Sequence, residues 1–538
     1  MKKIINILMV SIIILSVLTM TTAADNGKKV AVDEPSYKIS DNPDRGATDA
    51  ATQKVFVGFR NKPGAKERIL VQGHNGRISH EFPEVQAFAV EIPTNQIDAL
   101  SREPQVLYVE EDPIRYPLGL SDSELEPSMS NGLYGLITTY ATTVHANGVT
   151  GTEITACIAD TAIDINHPDI APNLLETVNN NSQPIDLANE THATHVAGTI
   201  VAALNDKGVR GVAYGAKLYH ARVLGPNGGY ASEVMNGVRW LVETKGCRNV
   251  GLSLGSKSRS RTEEKFYEEM YTKGALIIAA AGNENAKRLS FPAGYSVVLS
   301  VGALDRNNDH ASFSNTGKNL DLSAPGVEVL SSVPIGTGSE SSVIAGTSSY
   351  RAFGMEFAGK TSGITGTIVD SGTGNTASEF PSSVSGNITL MKRGSATFAA
   401  KVENAMNAGA TAAIIYNNVA GDFTGTLSSP NTSDGRPWIP VVSVSDSTGA
   451  TLVSLAGTTG TVVNQLSDWD YYSGTSMATP HVVGVAAIVM SANPALTNTQ
   501  VENILKNTAT DLGKKGYDTT FGYGLVNASR AVEAATTP

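Results

Sequence analysis

The chain has 538 residues, too many for one average domain, so two to four are expected. Hydrophobic residues make up 41% and charged residues 17%, enough apolar side chain to bury large cores. The net charge of −11, from 51 acidic and 40 basic residues, argues against nucleic acid or an anionic membrane as the main partner.

Lys2 and Lys3 precede the apolar run Ile4 to Leu18 and the small residues Thr-Met-Thr-Thr-Ala-Ala. That order describes a secretory signal over 1–24, cut near Ala23 or Ala24, with an uncleaved anchor as the alternative. No later segment reads as apolar enough to span a membrane, so a secreted, extracellular protein is expected. Two cysteines cannot build a disulfide framework. Cys157 lies in the apolar strand ITACIA and Cys247 between a helix and a strand, so two buried free thiols are preferred to a bridge.

Residues 25–53 are polar and read as a linker. From Lys54, KVFVGF alternates as a strand, RISHEFPEVQAFAVEI holds two more, NQIDALSREP is a short helix and VLYVEED a last strand. The unit 54–113 is therefore a small α+β domain. Residues 114–131, rich in Pro, Ser and Glu, read as a second linker. A small domain between an export signal and a larger body, followed by an exposed linker, suggests a removable pro-segment, with the maturation site in 114–131.

Over 132–347 apolar strands alternate with helices, and the pattern resumes over 467–535. The expected fold class is α/β, a parallel sheet with helices on both faces. Function in such sheets gathers at the C-terminal ends of strands, where Asp160 follows ITACIA, Ser253 lies in NVGLSLG and Asn283 follows ALIIAAAG. Residues 348–466 are richer in Gly, Ser and Thr with short β runs, an inserted β-rich domain.

Gly474 to His481, GTSMATPH, carries the clearest chemical signal. Ser476 falls between a glycine turn and an apolar helix, where free N–H groups favour developing negative charge. Pro480 reads as tolerable within the first turn. A serine nucleophile needs a base, and the base needs a carboxylate to fix its tautomer. Of nine histidines, His192 opens a helix after a polar stretch, so its ring can be exposed at the sheet edge, and Asp160 is the carboxylate that gains a role beside it. The order Asp160, His192, Ser476 separates the subtilisin arrangement from those of chymotrypsin and the α/β-hydrolases.

On these residues the sequence resembles the subtilisin-like serine proteases. ADTAIDINHPDI, HATHVAGTI and GTSMATPHVVG match the family around all three positions, as do LSLG, AAAGNEN, FPAGY, SFSNTG, LSAPG and FGYGLVNA. The resemblance implies an endopeptidase in which Asp160 orients His192, His192 takes the proton of Ser476, and Asn283 supplies the oxyanion-hole amide. Gly228, Gly229 and Tyr230 on one side and Ser253, Leu254 and Gly255 on the other resemble the edges that hold a substrate strand. The 54–113 unit resembles the family's inhibitory propeptide, and LMKRGSATFAAKVENAMNAGATAAIIYNN with IPVVSVS resembles a protease-associated domain. Polypeptide substrates, the chain's own propeptide as intramolecular inhibitor and a monomeric state follow as expectations, and no cofactor is needed for the chemistry.

Two departures stand out. Ala162 and Ala193 replace glycines of the family pattern, adding a Cβ where close approach or unusual backbone angles are needed. They keep open an alternative, a catalytically impaired protein of this fold acting in peptide binding. An esterase or lipase is disfavoured, since no G-x-S-x-G surrounds Ser476. Asp169 matches a residue that often binds structural calcium, yet the loop Asn205–Gly208 is short and Ser130 stands where a glutamine often helps. No metal ligand is assigned, and structural calcium is left open.

Overall fold

The computed structural model describes residues 51–118, 133–205 and 207–537, with Leu120 and Ser121 as backbone. The expected export signal, nearly all of the polar segment after it, and Ser130 lie outside the described residues.

The first unit runs β1 (Thr52–Phe59), α1 (Ala65–Gly73), β2 (Arg77–Phe82), β3 (Ala87–Pro93), α2 (Thr94–Ser101) and β4 (Val106–Glu111). Its antiparallel sheet has the order β2-β3-β1-β4. The sequence reading missed α1, since AKERILVQG buries only Val71 and shows little apolar periodicity.

The segment read as a second linker is, at its start, two strands: β5 (Ile114–Pro117) and β6 (Leu120–Ser121). IRYP has no strand pattern of its own. It is extended because both its edges find partner strands, a choice made by tertiary contact rather than propensity.

After short helices α3 (Tyr134–Thr138) and α4 (Ala141–Ala146) come β7 (Thr155–Asp160), β8 (Leu174–Asn179), α5 (His192–Val201), β9 (Lys217–Arg222), β10 (Gly229–Tyr230) and α6 (Ala231–Arg239). β11 (Asn249–Leu252), β12 (Leu254–Gly255), α7 (Arg261–Thr272), β13 (Leu276–Ala280), β14 (Leu299–Leu304), β15 (Leu322–Pro325) and β16 (Val329–Ser332) follow. Seven of these strands form a parallel sheet of order β15-β14-β13-β11-β7-β9-β8. Alternation along β7 sends Ala156 and Ile158 into one apolar core and Cys157 and Ala159 into the other, as expected for a sheet covered on both faces.

Cys157 and Cys247 form a disulfide, with Cα atoms 6.3 Å apart, contrary to the expectation of free thiols. Cys247 lies two residues ahead of β11, and Val250 of β11 is paired with Cys157. The strand order that brings them together is not visible in the sequence.

The insertion comprises β17 (Gly338–Ala345), β18 (Ser348–Arg351), β19 (Phe353–Gly354), β20 (Thr361–Asp370), β21 (Ile388–Lys392), α8 (Phe398–Asn407), β22 (Ala412–Tyr416), β23 (Val441–Val444), α9 (Asp446–Ser454) and β24 (Thr459–Ser467). All eight strands share one sheet, order β18-β17-β24-β20-β21-β22-β23-β19. β17, read from sequence as part of the larger body, pairs with β24 along its whole length.

The chain returns through β25 (Trp469–Ser473) into α10 (Thr475–Ala492), then α11 (Asn498–Thr508) and α12 (Ala528–Thr536). Against the sequence reading, α10 is long and apolar enough to cross a membrane by length and composition. Its residues are instead buried in the core shared with α5 and the parallel sheet.

Candidate active site

Asp160 ends β7 with its side chain fully buried. Its Oδ1 accepts the Thr161 N–H at 2.7 Å and lies 2.8 Å from His192 Nδ1 at the start of α5. Ser476 is the second residue of α10. Its Oγ donates to the Ser253 carbonyl at 2.8 Å, and His192 Nε2 has no hydrogen-bond partner among the described residues. The structure thus joins Asp160 to His192 and leaves the serine hydroxyl facing Ser253. His195, His220 and His481 are driven down by burial to about 3, 4 and 4, so these neighbours remain neutral.

The exposure expected for the His192 ring is not found: His192 is 7% and Ser476 0% exposed. Leu118, directly after β5, stands against Ser476. Its carbonyl oxygen is 2.6 Å from Asn283 Nδ2 and 3.4 Å from the Ser476 N–H donor, while its own N–H donates to Ser253 O at 3.2 Å. The Asn283 amide is fixed in this sense by Thr475, whose N–H and Oγ1 donate to Asn283 Oδ1 at 2.9 and 2.8 Å. One carbonyl therefore meets two converging donors, one of them at the N-terminus of an 18-residue helix.

Gly474 caps that helix at φ 155°, ψ 162°, a region open essentially to glycine, and its N–H donates to Gly326 O at 2.8 Å. Pro480 lies deeper than the first turn, contrary to the sequence reading. Lacking an N–H, it leaves the Ser476 carbonyl without its helical partner, and Ser253 Oγ donates there at 2.9 Å instead. Ser253 thereby ties β11 to the nucleophile turn.

Both edges named from sequence flank β5. Gly229 and Tyr230 pair antiparallel with Arg115 and Ile114, and Leu254 and Gly255 with Pro117 and Tyr116. At Gly228, φ is 78° and an added Cβ would stand 2.4 Å from the Arg115 carbonyl, so only glycine lets the strand approach. Beyond Leu118, Leu120 and Ser121 pair with Ser473 and Tyr472 of β25, an edge the sequence reading did not name. Neither Ala162 nor Ala193 has a positive φ, and their N–H groups donate to Glu190 at 2.8 Å and Thr161 Oγ1 at 3.0 Å. Alanine sits at both without strained backbone.

Two carboxylates dock the first unit on helix N-termini. Glu110 accepts from Thr262 N–H (2.8 Å), Thr262 Oγ1 (2.7 Å), Ser260 Oγ (3.0 Å) and Arg261 N–H (3.2 Å) at the start of α7. Asp112 accepts from Ser232 N–H (3.0 Å) and Ser232 Oγ (2.5 Å) at the start of α6. Both bonds favour the anion, yet burial dominates and pushes the Asp112 carboxyl up to about 7.

Asp169 fits a cation poorly. Its carboxylate already accepts three hydrogen bonds, from Asn205 Nδ2 at 2.8 Å, Ser332 Oγ at 2.9 Å and the indole of Trp469 at 2.7 Å, which take three of its roughly four lone-pair sites. A calcium ligand needs those lone pairs free.

Comparison with known proteins identifies the family. The Subtilase family model matches residues 151–368, the PA domain model 364–452 and the Peptidase inhibitor I9 model 50–117. The chain is 32% identical to the crystal structure of the psychrophilic subtilisin-like protease Apa1 from the Antarctic psychrotroph Pseudoalteromonas sp. AS-11, with TM-score 0.58, covering 75% of this chain and 99% of that one. It is 28% identical over 507 residues to an alkaline protease of Alkalihalobacillus alcalophilus (90% and 93% covered) and 26% over 494 residues to subtilisin E of Bacillus subtilis strain 168 (89% and 91%). The chain belongs to the subtilase family. It is a subtilisin-like serine protease with an inhibitor-type propeptide and a PA domain, and this chemistry needs no cofactor.

Proposed function

We propose that the chain is the zymogen of a secreted endopeptidase that first cuts itself after Leu118, through an acyl-enzyme on Ser476, and then cleaves polypeptides. The observation that carries this is the Leu118 carbonyl, held between Asn283 Nδ2 and the Ser476 N–H in a strand paired on both edges. In the reaction Ser476 Oγ turns from Ser253 O to His192 Nε2, gives up its proton and attacks the Leu118 carbonyl carbon. Asp160 holds the imidazole by Nδ1 and stabilises the imidazolium. The oxyanion takes the two donors now on the carbonyl. His192 returns the proton to the departing Gly119 amine, and water, deprotonated by the same imidazole, releases the Leu118 carboxylate.

Export over 1–24 rests on the Lys2-Lys3, apolar and small-residue pattern, and a monomer is the working state. Cut but still paired, residues 114–118 block the cleft, so the propeptide inhibits until it leaves. A fluorophosphonate probe tests the chemistry. The matured protein should be labelled at Ser476 and the Ser476→Ala protein not at all; a matured protein that resists the probe favours the impaired, peptide-binding alternative.

A further inference from the structure

Three residues ahead of Leu118, the cleft swallows a charge. Arg115 is fully buried. Its Nε donates to Glu263 Oε1 at 3.2 Å and its Nη2 to Glu263 Oε2, while Nη1 donates to Ser256 Oγ at 2.6 Å and Ser258 O at 3.0 Å. Four acceptors thus fill the guanidinium fork. Tyr116, the next residue, points out of the cleft and is 47% exposed, as strand alternation requires.

The acceptors all belong to the protease body, and none lies on the strand that carries Arg115. Glu263 is the third residue of α7, whose N-cap Ser260 accepts the Glu263 N–H at 3.1 Å. The positive end of α7 favours a carboxylate there, and the Tyr295 hydroxyl stands 2.8 Å from its Oε2. With Arg115 in place Glu263 is 0% exposed. A buried carboxylate is expensive unless a matching cation completes it, and a neutral side chain in this place would leave it unpaired. We propose that Glu263 sets the specificity of this pocket, so that the protease selects polypeptides with arginine at the fourth residue before the cleaved bond. Lysine fits less well, because one ammonium cannot reach Glu263, Ser256 and Ser258 together in a planar fork. The inference rests on the reading that Leu118 precedes the cut bond and that β5 lies as a substrate does.

The test compares peptides on the matured enzyme. Fluorogenic substrates carry Arg-Tyr-Pro-Leu, or the same sequence with lysine, leucine or citrulline first; citrulline keeps the shape and loses the charge. The expected kcat/KM for arginine exceeds that for citrulline on the order of 10²-fold, with lysine between. Glu263→Gln should shrink the arginine-to-citrulline ratio to within a few-fold. If that variant does not mature, the citrulline and leucine ratios of the unaltered enzyme decide alone. Casein is the parallel substrate. An enzyme that hydrolyses casein and treats the four peptides alike overturns the pocket and spares the cleavage reading. One that hydrolyses neither casein nor any peptide overturns the cleavage reading and the pocket with it.

Discussion

Asp112 should make release of the propeptide depend on pH. In the docked state its carboxyl sits near 7, and in the free propeptide it returns toward 3.8. The docked form therefore binds the extra proton, so docking is strongest at low pH and weakens as pH rises from about 4 to about 7. Above that the penalty is complete. Three pKa units correspond to about 4 kcal/mol at most. Between pH 5 and 8 the two pKa values give a weakening of roughly 10² in the inhibition constant of residues 51–118 added to matured enzyme. Glu233, buried beside Asp112 and also raised by burial, acts in the same sense. His80, lowered by burial and by the Arg239 charge, acts in the opposite sense below its ordinary value of 6.5. Subtracting the profile of Asp112→Asn isolates the aspartate. That variant should keep only the slope that Glu233 and His80 contribute over pH 5 to 8; a profile as steep as that of the natural propeptide would refute the role given to Asp112.

Other outcomes follow from the same geometry. Asn283→Ala should slow self-cleavage by about 10²–10³, a loss known for this donor in this family rather than worked out from the present distances; a change under threefold would remove Asn283 from the oxyanion hole. Ala162→Gly and Ala193→Gly should leave kcat within about twofold, because neither backbone is strained, while Ala193→Gly also lowers stability by about 0.5–1 kcal/mol because it lies in α5. A large gain in turnover would show that the alanines hold the site back. Gly338 and Ser467 are cross-strand partners, so a short linker in place of 339–466 should preserve cleavage of small peptides and alter selection among large proteins. Equal loss on both kinds of substrate in a folded variant would refute an accessory role for the insertion.

How far the sequence revealed this molecule depended on whether a feature is local. Asp160, His192, Asn283 and Ser476 each sit in a short stretch whose turn or strand end is written in neighbouring residues; the structure joins Asp160 to His192 and turns Asn283 and Ser476 to one carbonyl. The two strand edges came from the resemblance of residues 228–230 and 253–255 to the family, and both pair with β5. α7 was missed although Ser260-Arg-Thr-Glu263 is a capping-box pattern ahead of an amphipathic run, and with it went Glu263. The Cys157–Cys247 bridge, the Trp469 bond to Asp169 and the strand at 114–117 depend on which distant segments become neighbours. No local pattern carries that information.

The central claim is that the carbonyl of Leu118 is the one attacked. Intact-mass measurement of the purified precursor during maturation tests it directly. Attack at Leu118 yields a propeptide fragment ending at Leu118, a mature chain beginning at Gly119, and no cleavage in Ser476→Ala. A mature chain whose first cut lies elsewhere, or a Ser476→Ala precursor trimmed as fast as the natural one in a protease-free system, would contradict it.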